Sequence, residues 1–273
     1  MQDRTNIRNR KLLLSLAGLA VVAATSVFGM SASANATTHT APKPTIVLEH
    51  GAWADGSSWD DVVSRLQNAG YTVDVPPNPL RGPASDSAYL ASYLATIKGP
   101  IVLVGHSYGG FVITDAATGN PNVEALVYVD AFIPAQGDTL NSLIAQFPGS
   151  QITPSALNFV PSAGGVVDAY IKPGLFHDIL ANDLSTKQAA ELAAVQRPIA
   201  GSALGEPSGA PAWTSVPSWD VIGTSDHAIP VAAQEFMAKR AHSVVTKIDA
   251  SHLSMMSQPR IVTAVIESAA QHS

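Results

Sequence analysis

The 273-residue chain has no cysteine, few charged residues and no recognisable set of metal ligands. Without cysteine, disulfide bonds, thiolate chemistry and a cysteine nucleophile are excluded. Charged residues make up 13% of the chain, the formal net charge is −6, and no basic stretch follows the first eleven residues. Nucleic acid is therefore not an expected partner. No H-x-x-x-H pair and no G-x-x-x-x-G-K-[ST] phosphate loop occurs, and we expect no metal site.

Apolar residues, in contrast, make up 46% of the chain, which is enough for a large buried core and argues against disorder. The length indicates one or two domains. A chain of this size can build a core large enough to be stable without disulfide bonds.

The N-terminal residues have the composition of an export signal. Four basic residues within the first eleven positions precede an apolar stretch, residues 12–29, and the small residues Ala34-Asn35-Ala36 follow. We predict that residues 1–36 are a cleaved signal peptide, that residues 37–44 are a short leader, and that the mature protein is secreted or held in the cell envelope without stable membrane association. An uncleaved membrane anchor is the alternative, because 18 apolar residues lie near the lower limit for a spanning helix.

Short apolar, β-branched runs alternate with segments of helical spacing along most of the chain. This alternation predicts βαβ units, and therefore an α/β fold whose mostly parallel sheet has six strands, or slightly more, with helices on both faces. The predicted strands are Thr45–Glu49, Tyr71–Val75, Ile101–Val104, Val123–Val129, Trp219–Ile222 and Val244–Ile248.

Residues 132–213 break this alternation. They contain many Gly, Pro and Ser residues, no clear strand and one predicted helix, Thr186–Val195. An insertion of this length is more often a functional lid than a plain connection. We therefore predict a core formed by residues 45–131 and 214–273, and a lid formed by residues 132–213.

The strongest chemical motif is Gly105-His106-Ser107-Tyr108-Gly109, which has the pattern G-x-S-x-G. It follows an entirely apolar strand and precedes a helix, the context of a nucleophile elbow. The glycines permit a turn too tight for larger side chains, and the helix N-terminus favours developing negative charge. Ser107 is the predicted nucleophile.

A serine hydroxyl needs a base to accept its proton and a carboxylate to orient that base. His252 follows the last predicted strand after a short loop, at the edge of the sheet where ligands bind in such folds. Asp226 follows the fifth strand and gives the chain order Ser, Asp, His. Asp130, at the end of the fourth strand, is the alternative acid because its loop opens on the same edge.

Acyl transfer also requires hydrogen-bond donors for the oxyanion. The N–H of Tyr108, directly after the nucleophile, is one predicted donor. The loop after the first strand should supply the second, from Ala52 or alternatively from Trp53. His50 in this loop is more plausible as a brace than as a base.

Three motifs together resemble the small α/β-hydrolases, in particular the group of plant salicylate methylesterases, hydroxynitrile lyases and bacterial esterases. They are His50-Gly51-Ala52-Trp53 with Gly56 and Trp59, the motif around Ser107, and Asp226-His227-Ala228-Ile229-Pro230. The resemblance implies an α/β-hydrolase fold with a lid, a catalytic triad, and no metal or organic cofactor. It is weakest across residues 132–213.

The same resemblance favours cleavage of a carboxylic ester through an acyl-enzyme, with a small-molecule ester as substrate. The lyases carry a threonine and a lysine where this chain has Gly51 and Leu253, and the lysine charge would stabilise departing cyanide. A hydroxynitrile-lyase-like activity, a cofactor-free haloperoxidase activity and a non-catalytic ligand-binding role are the alternatives. An apolar substrate pocket is expected from Trp53, Phe132, Phe176 and Trp213, although these aromatic residues could equally be ordinary lid core.

Overall fold

The computed structural model describes residues 43–272. The predicted signal peptide, residues 1–36, and most of the predicted leader lie outside the described residues. Within the described range, no helix is both long and apolar enough to cross a membrane.

Strands in the described range form two sheets. The strands are β1 (Thr45–Glu49), β2 (Thr72–Asp74), β3 (Ile101–His106), β4 (Val123–Val129), β5 (Leu157–Pro161), β6 (Val167–Ile171), β7 (Ile199–Ala200), β8 (Ser218–Gly223) and β9 (Val244–Ile248). Six of them form one sheet in the order β2-β1-β3-β4-β8-β9, and every neighbouring pair is parallel. The predicted α/β class and the predicted six-stranded parallel sheet are confirmed.

Helices cover both faces of this parallel sheet. The helices are α1 (Asp60–Asn68), α2 (Pro83–Leu94), α3 (Tyr108–Ala116), α4 (Leu140–Ala145), α5 (Pro173–Leu180), α6 (Thr186–Val195), α7 (Val231–Arg240), α8 (Ser254–Ser257) and α9 (Pro259–Ala270). The chain passes from β1 to β2 in one direction and from β2 back to β3 in the other, so right-handed connections put α1 and α2 on opposite faces. Helix α2 packs against α3, and α1 packs against α9.

The central strands are buried on both faces, as parallel strands between two helix layers must be. Every residue of β3 and of β8 is buried. Because the six strands run parallel, the loops that follow β1, β3, β4, β8 and β9 all emerge at the same edge of the sheet. Residues far apart in the chain can therefore meet there.

The segment between β4 and β8, which contains the predicted lid, has more regular structure than its sequence indicates. The predicted helix is present as α6, but the expectation of no strand is wrong: β5, β6 and β7 form an antiparallel sheet. Four of the five residues of β5 are exposed, so the strand lacks the alternation that marks a half-buried strand. The turn between β5 and β6 contains Gly164 and Gly165, whose φ angles are 79° and 80°.

Candidate active site

Ser107 lies at the sharp turn between β3 and α3. Its backbone has a φ of 53° and a ψ of −122°, a conformation that a residue with a side chain rarely adopts. A Cβ atom added to Gly105 would lie 2.6 Å from the carbonyl oxygen of Gly109, and one added to Gly109 would lie 2.6 Å from the carbonyl oxygen of Glu49. The two glycines are therefore what permit the turn, which holds the Ser107 hydroxyl at the N-terminus of α3.

Three side chains predicted from separate parts of the sequence meet at this turn. The Nε2 atom of His252 lies 2.8 Å from the Oγ atom of Ser107. The Nδ1 atom of His252 lies 2.8 Å from the Oδ2 atom of Asp226. A carboxylate can only accept a hydrogen bond, so the ring proton lies on Nδ1, which donates a hydrogen bond to Asp226. The Nε2 atom is therefore free to accept a hydrogen bond from the Ser107 hydroxyl.

The Asp226 carboxylate is buried and receives hydrogen bonds from four donors. Its Oδ1 atom accepts from the N–H groups of Ala228 and Ile229, at 2.7 and 2.9 Å. Its Oδ2 atom accepts from the Nε2 atom of Gln234, at 2.7 Å, and from His252. Four hydrogen-bond donors around one carboxylate favour its ionised form, which can only accept.

The His252 ring is buried next to this charge. Burial by itself lowers the pKa of His252, but the charge and hydrogen bond of Asp226, together with the charge of Asp130, raise that pKa above its ordinary value. The Nε2 atom of His106 lies 2.9 Å from the carbonyl oxygen of His252 and donates to it. Burial lowers the pKa of His106 well below its ordinary value, so this second imidazole is neutral and braces the loop of the first.

Asp130, the alternative acid, lies under the same loops but has different partners. Its two carboxylate oxygens accept from the N–H of Gly223, at 2.7 Å, and from the N–H of Ser254, at 3.2 Å. Burial and the neighbouring Asp226 charge raise the pKa of Asp130 to about 7. Asp226, and not Asp130, is therefore the carboxylate hydrogen-bonded to the His252 ring.

Two backbone N–H groups beside Ser107 are free to donate hydrogen bonds to a ligand oxygen. Among the described residues, the amides of Ala52 and Tyr108 have no hydrogen-bond partner, and both residues line the cavity that contains Ser107. The N–H of Trp53, the alternative donor, is already bound to the carbonyl oxygen of Arg197 at 2.9 Å. Ala52 and Tyr108 are the pair with the chemistry of an oxyanion hole.

His50 and Gly51 fix the loop that carries Ala52. The Nδ1 atom of His50 donates to the carbonyl oxygen of Gly51 at 2.9 Å, and its Nε2 atom accepts from the N–H of Asn78 at 3.1 Å. Burial lowers the pKa of His50, which agrees with a neutral, bracing imidazole. A Cβ atom on residue 51 would lie 2.7 Å from the Cβ atom of Ser107, so glycine is required for this approach.

The Ser107 hydroxyl faces a narrow apolar cavity. None of the residues that line it is charged, and the Tyr108 hydroxyl is engaged elsewhere, donating to the buried carboxylate of Asp86 at 2.8 Å. The lining residues are Ala52, Trp53, Ser107, Tyr108, Phe132, Leu140, Ile144, Ile152, Ile199 and Leu204.

A second cavity is bordered by Trp53 and by Leu253, the residue after His252. Trp53 lines both cavities. Its φ is 60°, and its Nε1 atom donates to the carbonyl oxygen of Ala169 in β6 at 2.9 Å. The Trp53 indole therefore forms part of the wall of both cavities, and its hydrogen bond to β6 holds it in place.

The aromatic residues proposed for the pocket lie in three different places. Trp53 and Phe132 line the cavity that contains Ser107, and Phe176 lines the second cavity. Trp213 lines neither, because its Nε1 atom is bound to the carbonyl oxygen of Pro134 at 2.8 Å, at the base of the insertion.

Several residues around the site were missed by the sequence analysis. Gln234 on α7 orients the Asp226 carboxylate from eight residues further along the chain, and no sequence motif marks it. The aliphatic part of the cavity wall comes from scattered positions in the segment between β4 and β8, where no periodic pattern marks them: Leu140, Ile144, Ile152, Ile199 and Leu204.

Comparison with known sequences establishes the family. The model of the alpha/beta hydrolase family matches residues 46–265, which is most of the chain. The chain belongs to this family, as the resemblance of its motifs implied.

Individual relatives are known hydrolases. The chain is 36% identical over 111 residues to the carbendazim-hydrolysing esterase of Nocardioides sp. (strain SG-4G), a match that covers 36% of this chain and 46% of that protein. It is 32% identical over 128 residues to the pyrethroid hydrolase of Sphingobium wenxiniae, covering 42% and 45%. The chain thus matches less than half the length of each of these two relatives.

Solved structures support the fold. The crystal structure of polyneuridine aldehyde esterase superposes with a TM-score of 0.72 at 19% identity, covering 83% of this chain and 99% of that one. At this level of identity the likeness shows the fold alone.

Proposed function

We propose that this protein is a serine esterase that cleaves small, uncharged carboxylic esters through an acyl-enzyme. The observation that carries the proposal is the chain of hydrogen bonds from Ser107 through His252 to Asp226, next to two free amides in an apolar cavity. Each component of acyl transfer has a counterpart here: a nucleophile, a base, an orienting carboxylate and oxyanion donors.

In the proposed reaction, the Oγ atom of Ser107 attacks the ester carbonyl carbon while its proton passes to the Nε2 atom of His252. The N–H groups of Ala52 and Tyr108 donate to the oxyanion of the tetrahedral intermediate. The carbon–oxygen bond to the alcohol breaks, and His252 protonates the departing alcohol. A water molecule then attacks the acyl-enzyme, His252 takes its proton and returns it to Ser107, and the acid is released. Asp226 stabilises the imidazolium in both halves.

The cavity chemistry supports an uncharged, apolar group on at least one side of the ester. No side chain lining it could pair with a substrate carboxylate or ammonium, and burying such a charge unpaired is costly. Two relatives whose names describe hydrolysis of organic compounds support a small organic substrate. Leu253 supplies no positive charge for departing cyanide, which favours ester hydrolysis over cyanohydrin cleavage.

The experiment is an activity panel on the purified protein and its Ser107→Ala variant, using p-nitrophenyl esters of increasing acyl length and a cyanohydrin. We expect a burst of p-nitrophenol equal to the enzyme concentration or steady turnover of the esters, no cyanide release, and loss of both ester signals in Ser107→Ala. Absence of ester turnover in the wild-type protein across the panel would refute the esterase proposal. Cyanide release that requires Ser107 would favour the lyase.

We also propose that the protein is exported and acts outside the cytoplasm. The support is the basic, apolar and small-residue order of residues 1–36. Mass determination of the protein recovered from the producing cells and from their medium tests this, with the expected N-terminus at Thr37. Recovery of the full-length chain in the cytoplasm alone would contradict it.

A further inference from the structure

The connection between α5 and α6, residues 181–185, contacts the loop that carries His252. The Oδ2 atom of Asp183 accepts from the N–H of Ser251 at 3.0 Å, and its Oδ1 atom accepts from the Ser251 hydroxyl. Ser251 is completely buried and directly precedes His252. Asp183, which belongs to the segment between β4 and β8, is therefore hydrogen-bonded to the residue directly before His252.

The same connection also contacts the loop that carries Asp226. The Nδ2 atom of Asn182 donates to the carbonyl oxygen of Ser225 at 3.0 Å, and Ser225 directly precedes Asp226. The ring of His227, on the other side of Asp226, lies with its Nδ1 atom 2.8 Å from the carbonyl oxygen of Asp178. Residues 178–183, the end of α5 and the start of the connection, thus contact both neighbours of the Asp226 carboxylate and the residue that precedes the base.

We propose that Asp183 is a positioning residue for catalysis, which holds Ser251 and thereby keeps the His252 ring within reach of Ser107. This inference rests on the proposed esterase function. It means that the segment between β4 and β8 does more than cover the substrate, because part of it sets the geometry of the base.

The physical reason is the burial of Ser251. Without Asp183, the hydroxyl of Ser251 would keep the carbonyl oxygen of Leu180 as an acceptor, but its N–H would lose its acceptor. The loop would then shift so that this N–H reaches water, where the exposed Asp183 side chain lay, or another acceptor. A displacement of about 1 Å in a reacting group can cost about 10²-fold in rate. The charges that raise the pKa of His252 come from Asp226 and Asp130, so the action of Asp183 is geometric and should leave the pH profile in place.

Asparagine at position 183 tests geometry apart from charge. Its Oδ1 atom can accept from the N–H of Ser251, and its amide can donate to the Ser251 Oγ atom. The Ser251 hydroxyl can then turn to the carbonyl oxygen of Leu180, which lies 3.1 Å away. Asp183→Asn should therefore keep the loop in place, and Asp183→Ala should release it.

The control is Asp178→Asn, five residues earlier. The Asp178 side chain is exposed and its carboxylate contacts only the neighbouring His177, so this variant removes the same charge from the same segment. The carbonyl oxygen of residue 178, which faces His227, is retained.

The measurement is kcat and KM for a p-nitrophenyl ester, with kcat divided by the number of sites that react with a fluorophosphonate when labelling is carried to completion, so that a slower reaction does not lower the count. For Asp183→Ala we expect kcat per reactive site to fall about 10- to 100-fold with KM within about threefold and the pH profile unmoved. Asp183→Asn and Asp178→Asn should stay within about threefold of the wild-type protein.

The outcomes separate three explanations. Fewer reactive sites in Asp183→Ala at an unchanged kcat per site would mean that Asp183 serves stability alone, which overturns the inference. Equal losses in Asp183→Asn and Asp183→Ala would overturn its geometric basis. A wild-type protein that neither reacts with the probe nor cleaves esters would overturn the proposed function, and with it this inference.

Discussion

The hydrogen-bond pattern around Asp226 makes the effect of Asp226→Asn specific. The Oδ1 atom faces two backbone N–H groups, from Ala228 and Ile229, so the oxygen of asparagine must take that position. The new NH₂ group then faces the Nε2 atom of Gln234 and the Nδ1 atom of His252. To avoid two opposed donors, the imidazole must move its proton from Nδ1 to Nε2.

That change of tautomer removes the base. A protonated Nε2 atom cannot accept the proton of Ser107, and the charge that stabilises the imidazolium is lost as well. In a serine protease with the same constellation the equivalent change lowers kcat by about 10⁴-fold, and we expect a loss of that order here. Since the Asp226 charge raises the pKa of His252, the residual activity should extend to lower pH than in the wild-type protein.

The assay is kcat for an ester against pH, with two comparison variants. Asp249→Asn removes a charge from an exposed position three residues before His252 and should leave kcat unchanged. Asp130→Asn removes the alternative acid and should cost less than about tenfold, because one of its two backbone bonds survives. This reasoning would be refuted if the kcat of Asp226→Asn lay within tenfold of the wild-type value while Asp130→Asn lost more. Asp130 would then be the acid.

Three further predictions concern pH, the turn and the cavity. In the wild-type protein, kcat/KM should rise with pH, because only neutral His252 can accept a proton. The midpoint of this rise should lie above the ordinary histidine pKa of about 6.5, since the charge of Asp226 raises the pKa of His252. A midpoint below that value would contradict this charge environment. Gly109→Ala should lower the free energy of unfolding by about 1–3 kcal/mol, since its Cβ would lie 2.6 Å from a carbonyl oxygen. Gly174→Ala is the control, because a Cβ at that position meets no atom within 4 Å. Equal melting temperatures for the two variants would argue against steric strain at position 109. Trp53→Ala should join the two cavities that the indole borders. The ratio of kcat/KM for long-chain acyl esters to kcat/KM for short-chain acyl esters should then rise about tenfold. An unchanged ratio would show that the indole does not limit the length of the acyl chain.

The sequence predicts the core of the fold well because its signals are local. The run from residue 101 to residue 104 is apolar at every position, and the motif around Ser107 specifies a strand, a turn and a helix within a dozen residues. Once the sheet is parallel, its topology alone brings the loops after β8 and β9 to the same edge. This is why His252 and Asp226 could be named from chain order before any geometry was known.

The parts that the sequence does not predict depend mainly on contacts between distant segments. Nothing near Asp183 in the chain indicates that it contacts Ser251, 68 residues away. Gln234 lies only eight residues after Asp226, but no motif marks it as a partner of that carboxylate. The strand β5 was missed because it lies at the surface of the segment, with Phe159 and Val160 exposed, so burial imposes no alternating pattern on it. In β6 only Ala169 and Ile171 are buried, which is too short a pattern to mark a strand. Trp213 was a reasonable aromatic candidate by composition, but its bond to Pro134 holds it away from both cavities.

The most direct test of the account is the site of covalent attack on Ser107. The wild-type protein is treated with a fluorophosphonate, digested, and analysed by mass spectrometry to find the modified peptide and its stoichiometry. The account predicts one adduct per chain, on Ser107, and a much slower rate of labelling in Asp226→Asn because the base is lost. An adduct on another residue, or no adduct in a folded protein that hydrolyses esters, would contradict it.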